Sequence, residues 1–481
     1  NDRAIMQKPT DQCLEFLNEL KGEKGACGIG SIINLDGTPR EEVKELIMEG
    51  LCDMDLRGGR IDGTGDGAGI MVRTRHMREM LESALHSATS VPENESLYAG
   101  MLFIAKEDAD NIDTLMETVR EAMQQEGVKM VGLRTSIETS EKRLETYPEH
   151  LGIKAREKMP VMAQVLFTRG FHTEKTLPKA LYKAKGKIAN RTQSIDVISL
   201  EPGTIVYKGM ATGDQLRRFY GDFKNPLFQT DAGLFHTRFA TNVLSRWGLA
   251  QPFQRIAHNG EINTIAALRS KSRDLQALLR LNQSILMREG SDSGDLDRIA
   301  ALYKSHGISL PETMRRIFIP SPDDRVFMEK KVRDFFYAVQ ISHGALSAAE
   351  GPAGIVFLDE KEAGGILDGL GLRPLRAIET KDGLLLFTSE MGAPYIDEER
   401  IKKAFQLDAG EMVFTRGGKI FYPPEANKEI ARNTLLNVDE LVSGGKIYLM
   451  PLSKQHSGIQ EKITWRWNKF GGTTNLRMLM E

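Results

Sequence analysis

Cysteine is scarce in this chain: Cys13, Cys27 and Cys52 are the only three among 481 residues. An odd number at wide spacings argues against a disulfide framework and against a zinc pair, and fits a reducing compartment in which an available thiol survives. No apolar run approaches the length that crosses a bilayer. Charge of one sign is not in excess either. Lys plus Arg total 64 against 66 for Asp plus Glu, which removes the electrostatic case for a nucleic-acid or anionic-membrane partner. The stretch from Asn1 to Leu20 mixes acids, amides and a proline, and so resembles neither a secretory signal nor an arginine-rich transit peptide. Low-complexity tracts and internal repeats are lacking as well. The expectation is a cytoplasmic protein.

What is present is a long alternation of strand-like and helical patterns, enough for two to four domains or one large mixed fold. Leu14, Phe16, Leu17 and Leu20 predict a short amphipathic helix that forms a prefix before the linker Gly22-Glu23-Lys24-Gly25. A strand follows from Cys27 to about Leu35, then a helix from Arg40 to about Asp55 with Val43, Leu46, Ile47, Leu51 and Met54 on one face. Cys52 lies within that helix and reads as core. Gly63-Thr64-Gly65-Asp66-Gly67-Ala68-Gly69-Ile70 lacks the Gly-Lys-Ser/Thr ending of a phosphate loop and the preceding strand of a dinucleotide fingerprint. It reads as a tight glycine turn feeding a strand.

Further strands are expected at Leu97–Ala105, Val161–Phe167, Asp196–Leu200 and Gly203–Met210, with helices at Asn111–Gln125 and Leu177–Asn190. Helices dominate from Glu261 to Ile341. Strands return at Ala353–Leu358, Gly364–Leu367, Leu375–Ser389 and Met412–Phe421. Helices in the middle and strands at both ends predict an α+β layered sandwich, not a parallel doubly wound sheet. After about Asn427 the pattern weakens to one strand, Lys446–Met450, and a closing helical pattern from Asn475 to Glu481, as expected for the front piece of a longer chain.

Cys27 sits in Gly25-Ala26-Cys27-Gly28-Ile29-Gly30, where small neighbours clear the backbone around a thiol. Locally the stretch also reads as a buried cysteine in a glycine-rich strand. Downstream lie three companions. His236-Thr237-Arg238-Phe239-Ala240-Thr241-Asn242 carries a guanidinium that can hold a carboxylate bidentately, or that forms a structural ion pair. His258-Asn259-Gly260-Glu261 offers an asparagine amide beside a glycine N–H, a donor pair suited to an oxyanion, or else a plain turn before a helix. Gly290-Ser291-Asp292-Ser293-Gly294-Asp295 offers carboxylates for an ammonium or metal, or a helix cap. Together these suit a free α-amino acid with a side-chain carbonyl. Arg238 would hold its carboxylate and Asp292 its ammonium, Cys27 would attack, and Asn259 with Gly260 would hold the oxyanion. The missing base is supplied if Cys27 is a chain terminus, since an α-amine with a pKa near about 8 shuttles protons at neutral pH.

These residues resemble the class II glutamine amidotransferases, members of the N-terminal nucleophile hydrolases, and within them the glutaminase domain of glutamate synthase. The resemblance is carried by Cys27-Gly28-Ile29-Gly30, Arg57-Gly58, Thr64–Ile70, Thr204–Gly209, His236–Asn242, Ala250-Gln251-Pro252, His258–Asn263, Ser291-Asp292-Ser293 and Gly371-Leu372-Arg373-Pro374. It implies a four-layer αββα sandwich over residues 27–428, a propeptide at 1–26 cut at the Ala26–Cys27 bond, and a linker with the start of a following domain at 429–481. It also implies Cys27, Asn259 and Gly260 as catalytic residues, and Arg238, Asp292, Arg57 and Thr241 as substrate-binding ones. L-glutamine is the implied substrate, and the implied partner is a synthase domain or subunit that receives ammonia and aminates 2-oxoglutarate. No cofactor is expected in this chain, while FMN and an iron-sulfur cluster are expected in the synthase part. Two positions depart from the family pattern: Leu56, and Asp295, an extra acid expected to alter the substrate pocket or the coupling to a partner.

Overall fold

The computed structural model describes residues 27–432 apart from 58–59, 62, 86–88, 139, 141, 238–245, 279, 282–283, 287–289 and 344–348. The prefix helix and propeptide, and the elements expected beyond 432, lie outside the described residues. In chain order the first elements are β1 (Gly28–Asn34), α1 (Glu41–Asp53), the short ribbon β2 (Arg60–Ile61) and β3 (Thr64–Gly65), β4 (Ala68–Arg73) and α2 (Arg78–Ser83). A second run holds β5 (Tyr98–Ile104), α3 (Ile112–Gln125), β6 (Lys129–Thr135), α4 (Ile153–Glu157), β7 (Val161–Thr168), α5 (Leu177–Arg191) and β8 (Ile195–Ser199). Then come β9 (Thr204–Gly209), α6 (Gly213–Phe219), β10 (Ala232–Thr237) and β11 (Ile256–Gly260). The helical stretch is α7 (Ile265–Leu278), α8 (Asp292–Ser305), α9 (Leu310–Ile317), α10 (Pro322–Val326) and α11 (Lys330–His343). The chain closes with β12 (Ala353–Leu358), β13 (Glu362–Leu367), β14 (Arg376–Thr380), β15 (Leu384–Thr388), β16 (Ile401–Gln406), β17 (Met412–Arg416), β18 (Lys419–Phe421) and α12 (Pro423–Ala431). The last helix runs through position 428, where the sequence reading placed a domain boundary.

Seven strands form an antiparallel sheet in the order β16-β14-β15-β1-β10-β4-β9, and five more form a second in the order β11-β12-β13-β17-β18. Strand periodicity explains the layers. In β12, Val356 and Leu358 point into the core shared with the first sheet, whereas Ile355 and Phe357 point out to a core shared with α8, α9 and α11. In β1, Gly28, Gly30 and Ile32 lie on the face that meets α1, with Gly233 opposite Ile32 on β10 passing close to Ile47 of α1. Helix α1 buries Val43, Leu46, Ile47 and Leu51 at helical spacing, and Glu41 and Glu42 complement the positive end of its dipole. Each such fully buried aliphatic side chain contributes about 2 kcal/mol. The result is the expected helix, sheet, sheet, helix stack.

A third sheet, β6-β7-β5-β8, is inserted between β4 and β9 and covered by α3 and α5. The sequence reading placed several of its elements but not their separate assembly. It is tied to the sandwich by a buried charge cluster. Lys185 on α5 pairs with Glu201, Glu201 with Arg255, and Arg255 with Asp297 on α8. Burial alone would raise the Glu201 carboxyl, but the Arg255 and Lys185 charges outweigh it and hold it low.

The glycine-rich stretch is, as read, a turn feeding a strand. Gly69 on β4 permits a close crossing: a Cβ there would stand 2.5 Å from Gln251 O and 2.7 Å from Pro252 Cδ.

Candidate active site

Cys27 immediately precedes β1 and is 6% exposed. The two glycines after it do not serve the role the sequence suggested. A Cβ at Gly28 would lie 2.4 Å from Met54 Sδ and 2.7 Å from Thr237 Oγ1, and one at Gly30 would lie 2.4 Å from the Phe235 ring. Those positions are glycine so that Met54 and Phe235 can pack on the α1 face, not to admit a ligand. By strand alternation Ile29 and Ser31 face the second sheet. Cys52, in α1, is a different kind of thiol: burial pushes it up to about 12, so it stays protonated and inert.

Between the sheets runs a buried polar chain. Ile29 pairs with His236 on β10, and His236 Nε2 meets His258 O at 3.1 Å across the sheet interface. A carbonyl only accepts, so Nε2 carries the proton and donates it. His258 Nδ1 lies 2.9 Å from Ser293 Oγ, whose own proton goes to Asp292 Oδ1 at 3.1 Å. Nδ1 is therefore the protonated nitrogen of His258. Gln251 Oε1 accepts from His258 N at 2.8 Å and its Nε2 donates back to His258 O at 3.3 Å. Cys27 is thus two residues from Ile29, the cross-strand partner of His236, and Asn259 directly follows His258.

Burial pushes His236 down to about 3 and lowers His258 as well, the latter against the pull of Asp292 and with the help of Arg373. Both rings are neutral at neutral pH. Because His236 has a depressed pKa in the folded state, the unfolded chain takes up its proton below about 6.5 while the native chain does not until about 3. The stability it contributes is complete above about 6.5 and is lost as pH falls toward 3. Denaturation of wild type and of His236→Gln should therefore show a stability difference that narrows between about pH 7.5 and about pH 5. A constant difference would contradict the neutral assignment.

Asn259 and Gly260 end β11, paired with Gly354 and Ala353, so the stretch expected as a candidate turn is strand up to Gly260. Asn259 is 3% exposed and its Oδ1 has no hydrogen-bond partner among the described residues. Such an orphan is costly unless something else occupies it. Gly260 has φ +128°, and a Cβ on it would stand 1.6 Å from Pro352 O. Opposite, Gly351 has φ +150° and a Cβ there would stand 2.1 Å from Glu261 O. Two backbones cross where no side chain fits.

Asp292 opens α8. Ser291 caps that helix by accepting from Gly294 N at 3.1 Å, as the cap reading expected. The Asp292 carboxylate accepts from Ser293 N at 2.7 Å and, through Oδ2, from Ile262 N at 3.1 Å, just past Gly260. Strand β11 is thus fastened to α8 at both ends, since Arg255 N donates to Asp297 Oδ1 at 2.8 Å. Arg238 and Thr241 lie outside the described residues. Arg238 directly follows Thr237, which pairs with Gly28. Arg57 ends the 3-10 turn Met54–Arg57, and its side chain lies outside the described residues. The extra acid Asp295 does not face the site as a bare charge, because Arg269 Nε donates to it at 2.7 Å. Gln251 and Ser293 lie in motifs the sequence reading quoted, yet their part in orienting His258 emerges only from the pairing of β11 with α8.

Residues 27–435 match the model of the family described as glutamine amidotransferases class-II. The chain belongs to that family. This amidotransferase chain is 32% identical over 407 residues to a ferredoxin-dependent glutamate synthase 2 of Synechocystis, covering 81% of this chain and 25% of that protein. It is 30% identical over 433 residues to the glutamate synthase [NADPH] large chain of Bacillus subtilis, covering 85% of this chain and 27% of that one. It thus spans about a quarter of the length of these relatives. Among solved structures it is similar to the glutamine phosphoribosylpyrophosphate amidotransferase of Bacillus subtilis, with a TM-score of 0.36, 13% identity, and coverage of 82% of this chain and 48% of that chain. No helix among the described residues is long and apolar enough to cross a membrane, and no group of three or more His, Cys, Asp or Glu among them could hold a metal ion.

Proposed function

We propose that the chain hydrolyses L-glutamine to glutamate and ammonia through a thioester on Cys27. The observation that carries this is the polar chain joining the Cys27 strand to Asn259 and Asp292 within a class II amidotransferase fold. Arg238 holds the substrate carboxylate and Asp292 its ammonium, with Arg57 and Thr241 completing the pocket. Cys27 Sγ attacks the side-chain amide carbon. The oxyanion is held by Asn259 Nδ2 and Gly260 N–H, the amide nitrogen leaves as ammonia, and water then opens the thioester. The two histidines are poor bases in this setting, because burial disfavours the protonated imidazole and has lowered both. The base is the α-amine of Cys27, freed when residues 1–26 are removed.

The similarity to glutamate synthases extends the reading: ammonia passes to a synthase part that aminates 2-oxoglutarate, and the FMN and iron-sulfur cluster belong to that part. An ammonia acceptor other than 2-oxoglutarate is the second reading, and an uncleaved non-catalytic module the third. Purified protein is expected to release ammonia from L-glutamine and to begin at Cys27 by mass spectrometry. A natural protein that retains Asn1 and releases no ammonia would favour the module.

A further inference from the structure

Arg269 belongs to none of the motifs read from the sequence. It lies in the second turn of α7, the helix entered directly after Asn259 and Gly260. Its Nε donates to Asp295 Oδ2 at 2.7 Å and its Nη2 donates to Gly290 O at 2.9 Å. Those two acceptors bracket Asp292, one on each side of it in the chain. The Asp295 side chain is 2% exposed, that of Arg269 34%. Asp295 N also donates to Ser291 O at 3.0 Å, so the whole turn from 290 to 295 is gathered under one guanidinium. The entrance to α7 makes the second tie, Ile262 N to Asp292 Oδ2.

We propose that Arg269 is a positioning residue: by bridging Gly290 and Asp295 it fixes the Asp292 carboxylate relative to the Asn259–Gly260 donors, and so sets the affinity for the α-ammonium group of the substrate. This rests on the reading that Asp292 receives that ammonium. A carboxylate one turn from Asp292 would compete for a cation if unpaired, and the fork of Arg269 both neutralises it and uses it as an anchor. Arg298 on α8 also acts electrostatically with Asp295. Removal of Arg269 therefore does not leave the buried acid without a cation, and what is lost is the tie to Gly290.

The test is steady-state ammonia release by the full-length protein from L-glutamine and from 4-carbamoylbutanoate, which lacks the α-amino group. Arg269→Ala is expected to raise KM for glutamine about tenfold, with kcat and the KM for the analogue changed less than about twofold. Arg269→Lys restores part of the affinity. Asp295→Asn, which keeps an acceptor for Nε, costs less than Arg269→Ala. An unchanged glutamine KM in Arg269→Ala, or an equal loss on both substrates, overturns the proposal. If Arg269→Ala does not fold, Arg269→Gln and Asp295→Asn are judged by the same split. Asp292→Asn separates the two layers of the argument. If it leaves glutamine KM unchanged, the ammonium reading fails and the positioning role with it. If it raises KM while the Arg269 variants do not, the positioning role alone fails.

Discussion

Cys27→Ala is expected to lower ammonia release from L-glutamine by at least about 10⁴-fold while leaving the fold intact. The other groups near the thiol cannot take its place. His236 and His258 are neutral with their protons engaged, Cys52 is held protonated in α1, and Ser31 is buried two positions further into the sheet from Ile29. Loss of one sulfur from a position 6% exposed should cost only about 1 kcal/mol, so circular dichroism and thermal denaturation should match wild type closely. Cys27→Ser, with a hydroxyl that the α-amine activates less readily, should retain a trace of activity. Ammonia release by Cys27→Ala at wild-type rate would remove the thioester mechanism altogether.

Gly260→Ala should be nearly as damaging, for a different reason. The added methyl would overlap Pro352 O, and the φ of +128° is one that an L side chain rarely adopts. The crossing backbones must part, which costs about 2–4 kcal/mol and moves Asn259 and Gly260, the proposed oxyanion donors, together. The expected result is a fall in kcat of about 10²-fold to 10³-fold with a lower denaturation midpoint. Gly307→Ala is the control. It has φ +83° with nothing within 4 Å, so it carries backbone strain of about 1 kcal/mol without touching activity. If the two variants behave alike, strain and not donor placement explains the loss.

Much of this architecture was legible because local signals were strong. The strand pattern over Leu375–Ser389 announces β14 and β15, which pair with each other, and the apolar stripe of α1 announces its buried face. Strands β6 and β16 carry no clear strand pattern. Lys129–Thr135 and Ile401–Gln406 show mixed polar patterns, because β6 is an edge strand of the inserted sheet and β16 an edge strand of the largest one. The separate third sheet was invisible since sheet membership depends on distant pairing, such as β5 with β7 and β8. At the site, residue types and order single out Cys27, Asn259, Gly260 and Asp292 as candidates. Their neighbours are another matter. Nothing around Arg269 in the sequence distinguishes it from other helix-surface arginines, and only the approach of α7 to the start of α8 gives it a partner. At Gly28 and Gly30 the sequence shows that a position is small, not that Met54 and Phe235 fill the room.

Strand β1 lies in the interior of the seven-stranded sheet, with β10 on one side and β15 on the other. Its residue Gly30 pairs with Phe235 and with Thr388, and Ile29 N donates to Ser389 Oγ across 360 residues of sequence. Both flanks of the strand that follows the thiol therefore come from chain made much later. On a ribosome, β1 must wait, unpaired on one edge, until β15 has been synthesised. If maturation at Ala26–Cys27 reads the folded strand, the nucleophile is released only after nearly the whole unit through Thr388 exists. Late pairing would then act as a clock that keeps the proposed ammonia production from starting on an unfinished chain.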